Sequence, residues 1–127
     1  MRPDLSVIVP VYNRGARTRF TLDSVRRAAQ GLRVETIVID DGSETPLADD
    51  LAACDLGPFT IHRQTNRGLL FARLAGFERA TGEYTLFLDS DDLVHPAKFS
   101  RQLAAMRAEH ADVSYTDEAA VPLDDNW

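Results

Sequence analysis

Three carboxylates crowd into four consecutive residues of this sequence, Asp89, Asp91 and Asp92, within the stretch "YTLFLDSDDLVHP". An apolar run ends directly before them. Like charges at this spacing repel one another unless a cation lies among them. Hard divalent cations such as Mg²⁺ and Mn²⁺ prefer oxygen ligands and commonly bind one or two carboxylates together with substrate phosphates. Because alternate residues of an extended segment share a side, Asp89 and Asp91 are the predicted metal ligands.

Two further polar clusters follow apolar runs elsewhere in the chain, "PVYN" at residues 10–13 and "DDGS" at residues 40–43. Taken alone, "DDGS" is a good turn, and an Asp or Ser in such a turn commonly caps a helix without any other function. Together with the acidic stretch, these clusters bring five aspartates to loops that follow strands. We interpret the three clusters as one ligand-binding rim.

The strands that must position this rim are predicted from apolar, β-branched runs at residues 5–12, 33–40, 59–64 and 84–89. Helical patterns alternate with them, including a short helix after Asp41, a helix from about Gly68 to Ala80 and a helix that begins at Pro96. Residues 112–117 are a candidate fifth strand. This alternation predicts an α/β fold, a Rossmann-like three-layer α/β/α sandwich with a mainly parallel sheet, whose ligands bind beyond the carboxyl ends of the strands.

The chain has 127 residues, which fits a single domain over residues 1–127 with a candidate tail at 116–127. Its net charge of −6 argues against nucleic acid as the partner. The arginines at the start of the first helical pattern, Arg14 and Arg17 among them, are interpreted as a solvated helix face. The apolar stretch at residues 7–11 is too short for a signal-peptide core or a membrane span.

The lone cysteine and the three histidines do not suggest a second chemistry. Cys54 has no partner for an internal disulfide and no neighbouring base, so we expect a buried thiol and a cytoplasmic location. His62, His95 and His110 lack the paired spacing of a metal site. His95 adjoins the acidic stretch, and surface exposure is favoured for it over a contact with phosphate.

The set "SVIVPVYN", "VIDDGS", "NRG…AR" and "GEYTLFLDSDD" with the following Pro resembles the N-terminal half of a family 2 glycosyltransferase. The resemblance covers roughly Leu5 to Tyr115, with the motifs in the family's order. It implies an inverting enzyme of the GT-A fold, which transfers a sugar from a nucleotide-diphosphate sugar to a glycan or other hydroxyl acceptor.

The resemblance implies that Pro10, Val11 and Tyr12 line the base pocket, with Tyr12 packing near the base. It also implies that Asp41, the second acid of "DDGS", accepts a hydrogen bond from the base. A carboxylate in that role selects bases with a ring N–H such as uracil or thymine, so UDP- or dTDP-sugars are the expected donors.

In the acidic stretch, the resemblance implies that Asp89 and Ser90 contact ribose and diphosphate and that Asp91 binds Mn²⁺ or Mg²⁺. Arg73 matches an arginine that lies near the nucleotide in the family. Here Leu74 follows it instead of Asn, and residues 69–71 are bulkier than usual. The alternative for Arg73 is therefore a place on the helix surface, toward Phe77 and Glu78.

The family's catalytic base lies well beyond its metal motif, whereas only 36 residues follow Asp91 in this sequence. Asp117 and Glu118 resemble a segment near the site in some members, but neither is assigned as the base. We therefore expect a piece of a longer enzyme that binds the donor and lacks the catalytic base and the acceptor site. Contact with the inner face of a membrane would involve other parts of that enzyme.

Three alternatives are left open. The first is a nucleotide-sugar-binding module without catalysis. The second is a phosphatase of the haloacid dehalogenase type, in which Asp89 is the nucleophile and Asp91 the general acid. Against it, Asp92-Leu93 replaces the usual Gly-Thr, and Lys98 is too close to the motif to be the lysine that such enzymes need. The third is a sugar-nucleotide pyrophosphorylase, which needs a richer glycine loop than "PVYNRGAR" provides.

Overall fold

The structure of the protein, a computed structural model, describes residues 1–120. Within them lies a parallel sheet of four strands in the order β3-β2-β1-β4: β1 (Leu5–Val11), β2 (Val34–Asp40), β3 (Thr60–Arg63) and β4 (Tyr84–Phe87). The helices are α1 (Thr18–Ala28), α2 (Leu47–Leu51), α3 (Leu69–Phe77) and α4 (Lys98–Glu109), and a 3₁₀ turn (Gly15–Arg17) precedes α1. The predicted parallel sheet and its four strands are confirmed.

Helices cover both faces of the sheet, which gives the predicted three-layer fold. Val7 and Val9 of β1 point to the face covered by α1 and α4, in a core that includes Leu22, Phe99 and Leu103. The opposite face of the sheet packs against α3. Because β1 is buried on both faces, its sequence is a continuous apolar run without alternation.

Helix α3 lies unusually close to the sheet. A Cβ atom added to Gly76 would come within 2.4 Å of the Ile8 Cγ2 atom of β1, so the glycine is required for this approach. Ala72, one turn earlier, is 1% exposed against Ile37 and Ile39. Small residues on one side of α3 therefore set its distance from the strands.

A carboxylate joins the amino ends of β1 and β2 to α4, at the end of the sheet opposite the polar rim. Asp4 accepts hydrogen bonds from the backbone N–H of Arg33 (2.9 Å), from the Arg33 guanidinium (3.0 Å) and from the Arg107 guanidinium (2.9 Å). The side-chain bond from Arg33, its backbone bond and the bond from Arg107 hold the pKa of Asp4 far below its usual range.

The prediction of a fifth strand at residues 112–117 is wrong. Residues 112–117 form no strand, and their apolar side chains Val113 and Tyr115 are 84% and 92% exposed. The segment is tied to α4 by side chains instead, since Gln102 bonds Ser114 and Lys98 bonds Thr116. Alternating apolar residues favour a strand where one face is buried, and neither Val113 nor Tyr115 is buried here.

The candidate tail at residues 116–127 is described only in part. Residues 116–120 contain no helix or strand, and residues 121–127 lie outside the described part of the chain. Among residues 1–120, no helix has the length and apolar character needed to cross a membrane.

Candidate functional site

The acidic loop after β4 brings its three carboxylates together, as the sequence predicted. Asp89, Asp91 and Asp92 each offer a carboxylate oxygen, and these atoms all lie within 4.8 Å of one another. Burial, followed by the charges of Asp91 and Asp89, raises the pKa of Asp92 above its usual value. Oxygen donors at this spacing fit a hard divalent cation, which would also relieve the repulsion between the acids.

Helix α1 holds the acidic loop in place through two hydroxyl groups, that of the buried Thr21 and that of the half-buried Ser24. The Thr21 Oγ1 atom lies 2.9 Å from the carbonyl oxygen of Ser90 and 2.8 Å from that of Asp92, so it donates to these two acceptors. The backbone N–H of Val94 donates to the Ser24 Oγ atom (3.2 Å). Neither residue was predicted from the sequence, although a Thr within the apolar stripe of α1 is a signal that its hydroxyl has a partner.

The loops after β1 and β2 are joined by a reciprocal pair of hydrogen bonds. The backbone N–H of Asn13 donates to the Ser43 Oγ atom (3.0 Å), and the backbone N–H of Glu44 donates to the Asn13 Oδ1 atom (2.9 Å). Asn13 has φ = 52°, a left-handed conformation that Asn tolerates better than most residues. The sequence predicted that these two loops meet, but the role of Asn13 in joining them was not predicted.

Asp40 has a structural role at this rim. Its buried carboxylate accepts hydrogen bonds from the backbone N–H groups of Ser43 (3.0 Å) and Leu47 (2.9 Å) and from Arg63 (2.8 Å). Burial acts to raise the pKa of Asp40, but these bonds outweigh it and leave the pKa below its usual value. Turn formation therefore accounts for this aspartate, and it does not contribute to the acidic cluster after β4.

Asp41 is also buried, and its carboxylate organises the loop before α3. Its Oδ1 atom accepts hydrogen bonds from Gln64 Nε2 (2.8 Å) and the Arg67 backbone N–H (2.9 Å), and its Oδ2 atom accepts one from the Gly68 backbone N–H (2.9 Å). An ionised carboxylate accepts about four hydrogen bonds, which leaves room for one more at Oδ2. The predicted bond to a nucleobase would have to use that remaining position.

The three residues expected to line the base pocket differ in exposure. Pro10 and Val11 are buried, and Val11 belongs to the core. Tyr12 is 49% exposed at the end of β1. Tyr12 is thus the member of this set whose ring is accessible for stacking, whereas Pro10 and Val11 are buried and the Val11 carbonyl already accepts a hydrogen bond from the Asp41 N–H.

Two arginines supply positive charge to the acidic loop. The Nη2 atom of Arg73 on α3 lies 2.9 Å from the Asp89 Oδ1 atom, and the Nη2 atom of Arg14 lies 3.4 Å from the Asp91 Oδ2 atom. Arg73 therefore points at the acidic loop and not along its own helix toward Glu78. The interpretation of Arg14 as part of a solvated helix face is wrong, because it precedes the 3₁₀ turn and reaches the acidic loop.

The remaining candidates lie at the margin of this site or outside it. His62 is in β3, His110 ends α4, and His95 is exposed, with its Nδ1 atom accepting a hydrogen bond from the Ala97 N–H (3.1 Å). Cys54 is only partly buried, contrary to expectation. Asp117 and Glu118 are exposed, and the charge of Glu118 contributes to the raised pKa of Asp92.

The parallel sheet and the acidic loop after β4 together define a domain of the GT-A type. The model of the family described as "Glycosyl transferase family 2" matches residues 6–123. The chain therefore belongs to glycosyl transferase family 2. This membership favours a transferase over the phosphatase alternative.

Known proteins place the chain in the same family and fold. The putative glycosyltransferase EpsH of Bacillus subtilis is 32% identical over 121 residues, which are 93% of this chain and 34% of that protein. The crystal structure of S. aureus TarS 1-349 in complex with UDP is similar, with a TM-score of 0.70, 26% identity, and coverage of 94% of this chain and 38% of that one. The chain spans about a third to a half of the length of the first relatives it matches.

The structure of a third similar protein contains a metal ion. The mannosyltransferase PcManGT from Pyrobaculum calidifontis, in complex with GDP-Man and Mn²⁺, has a TM-score of 0.62 and 27% identity, with coverage of 73% of this chain and 29% of that one. The ligands in the TarS and PcManGT structures carry different bases, uracil and guanine.

Proposed function

We propose that the chain is the donor-binding part of an inverting glycosyltransferase that binds a UDP- or dTDP-sugar together with Mn²⁺ or Mg²⁺. The observation that carries the proposal is the group of three carboxylates at the carboxyl end of β4, beside the loops that follow β1 and β2. In a parallel α/β sheet this edge is where ligands bind.

Asp91 and Asp89 would hold the metal, with Asp92 available beside them. When bound, a divalent cation stabilises the negative charge that develops on a departing diphosphate. The chain's own residues prepare the position: Thr21 fixes the backbone of the loop, and Arg73 orients the Asp89 carboxylate. The Mn²⁺ in the PcManGT structure supports this assignment.

The base would stack on Tyr12 and meet the remaining acceptor position of Asp41. A uracil or thymine ring presents an N3–H donor to such an acceptor, whereas adenine has no equivalent ring N–H. The UDP in the TarS structure supports a uridine donor. Guanine also carries a ring N–H, and the GDP-Man in the PcManGT structure keeps guanosine donors among the candidates.

The transfer step needs a base that takes the proton of the acceptor hydroxyl. We assign no residue to this role, and we propose that the base and the acceptor site belong to parts of the enzyme beyond those described. The chain alone would then act as a binding module. In the full enzyme, a glycan or another hydroxyl compound would be the acceptor.

The proposal is tested by titrating UDP into the purified chain with Mn²⁺ and again with excess EDTA. We expect binding that depends on the metal, because the diphosphate supplies part of the coordination sphere. Asp91→Ala should abolish the metal dependence while the far-ultraviolet circular dichroism stays unchanged. Asp112→Ala removes an exposed acid outside the site and serves as the control. Equal UDP binding with Mn²⁺ and with EDTA would overturn the assignment of Asp91.

A further inference from the structure

Arg14 lies at the metal-binding edge but belongs to none of the motifs that identify the family. It sits between Asn13, whose backbone and side chain are both bonded to the loop after β2, and the 3₁₀ turn that begins at Gly15. Its Nη2 atom lies 3.4 Å from the Asp91 Oδ2 atom. The loop thus holds a guanidinium beside the carboxylate that is the proposed principal metal ligand.

The guanidinium of Arg14 has more hydrogen-bond donors than its one charged partner within residues 1–120 can use. A guanidinium carries five N–H donors, and within residues 1–120 the structure gives this one a single charged partner, Asp91. Nearly half of the Arg14 side chain is exposed. Arg73 differs, because it extends from α3 and its Nε atom is buried. Arg14 is therefore the more exposed of the two cations.

A metal ion and Arg14 compete for the same carboxylate. A divalent cation bound to Asp91 would repel a guanidinium a few ångströms away, because both groups carry positive charge. A nucleoside diphosphate arrives with negative oxygens next to that metal. The planar fork of Arg matches phosphate oxygens and would form charge-assisted hydrogen bonds with them.

We propose that Arg14 is a donor-binding residue that pairs with Asp91 in the metal-free site and with the diphosphate once the nucleotide–metal complex has bound. The proposal rests on the proposed function and adds a residue to it. In the free protein Arg14 neutralises the acidic loop and weakens its affinity for metal alone. In the complex the same guanidinium adds to nucleotide affinity.

This exchange of partners predicts two effects of opposite sign for Arg14→Gln. Affinity for Mn²⁺ alone should rise about two- to five-fold, the range expected from losing an exposed ion pair that competes with the metal. Affinity for UDP in saturating Mn²⁺ should fall about ten-fold, because a charge-assisted contact to phosphate is lost. Arg14→Lys keeps the charge without the fork and should restore part of the UDP affinity.

The experiment uses the full chain in four forms: wild type, Arg14→Gln, Arg14→Lys and Arg17→Gln. Free Mn²⁺ is followed by its paramagnetic resonance signal in the absence of nucleotide, and UDP binding is measured by calorimetry with Mn²⁺ present. Arg17 is an exposed arginine of the neighbouring 3₁₀ turn, so its substitution controls for the loss of one positive charge. Thermal unfolding checks that all four forms are folded.

The outcomes separate this proposal from the proposed function. If the wild type binds UDP but Arg14→Gln binds it within two-fold, Arg14 is only a surface ion pair and the proposal is overturned. If Arg14→Gln and Arg17→Gln weaken UDP binding equally, general charge explains the effect and the proposal also fails. A wild type that binds no UDP with Mn²⁺ present overturns the proposed function, and the proposal for Arg14 with it.

Discussion

The Arg73 guanidinium of α3 and the Asp89 carboxylate of the loop after β4 meet at 2.9 Å. Arg73 reaches the acidic loop because α3 packs against β1 with no side chain at Gly76 between them. A contact within the site therefore depends on a close approach made one turn of helix away. This relationship connects the packing of the fold to the orientation of a proposed metal ligand.

Gly76→Ala should destabilise the protein and weaken nucleotide binding together. The added methyl group would lie 2.4 Å from the Ile8 Cγ2 atom, and overpacking of this kind costs about 1–3 kcal/mol. Displacement of α3 would also draw Arg73 away from Asp89. Urea unfolding and UDP titration with Mn²⁺ measure the two effects. Leu70→Ala, at a side chain of the same helix that is 74% exposed, should change neither, and an unaltered stability in Gly76→Ala would contradict the close packing.

The sheet and the acidic loop were predictable because their signals are local in sequence. Strands buried on both faces appear as continuous apolar runs, and the acids follow the last of them directly. The contacts of Thr21, Asn13 and Arg14 were not predictable, since each joins residues at least 30 positions apart. The prediction of a fifth strand was wrong for a related reason: Val113 and Tyr115 show a local β pattern, but a strand also needs distant partners, and both side chains are exposed.

Thr21→Val should loosen the acidic loop without changing the shape of the side chain. The carbonyl groups of the buried Ser90 and of Asp92 would lose a donor, and a buried acceptor left unsatisfied costs about 1–3 kcal/mol. We expect lower stability in urea and weaker binding of UDP with Mn²⁺. Thr21→Ser keeps the hydroxyl group and should retain most of both properties. If Thr21→Val binds Mn²⁺ and UDP as tightly as the wild type does, the acidic loop does not depend on the Thr21 hydrogen bonds.

Asp41→Asn should reduce the preference for UDP over ADP and also destabilise the loop before α3. The amide presents an NH₂ group where the carboxylate accepts bonds from Gln64 and from the N–H groups of Arg67 and Gly68. Absolute affinities should therefore fall for both nucleotides, and the informative quantity is the ratio of the two dissociation constants. A wild-type ratio near one, measured by calorimetry, would count against the predicted bond to the base.

Stability should fall in acid through Asp4, and Asp4→Asn should remove part of that dependence. The pKa of Asp4 in the folded protein lies below its value in the unfolded chain. Its contribution is therefore complete above the unfolded pKa of about 3.9 and is lost as the pH falls toward the folded value. Unfolding in urea between pH 7 and pH 3 measures the slope. Asp55→Asn, at an exposed acid, should keep the wild-type slope, and an identical slope in Asp4→Asn would refute the prediction.

The chain alone should bind the donor but transfer little or no sugar. Binding needs the rim that residues 10–92 form, whereas transfer also needs a base and a surface that holds the acceptor hydroxyl in attack geometry. With one side of the sugar open to water, slow hydrolysis of the donor is the expected residual reaction. Incubating the chain with UDP-sugars, Mn²⁺ and mixed glycan acceptors, and measuring free UDP and labelled glycan separately, distinguishes hydrolysis from transfer. Asp91→Ala is the control for release that does not depend on the site. Robust labelling of glycan would place a base within the chain. Asp117 and Glu118 would then be the first residues to replace, because the charge of Glu118 acts on Asp92.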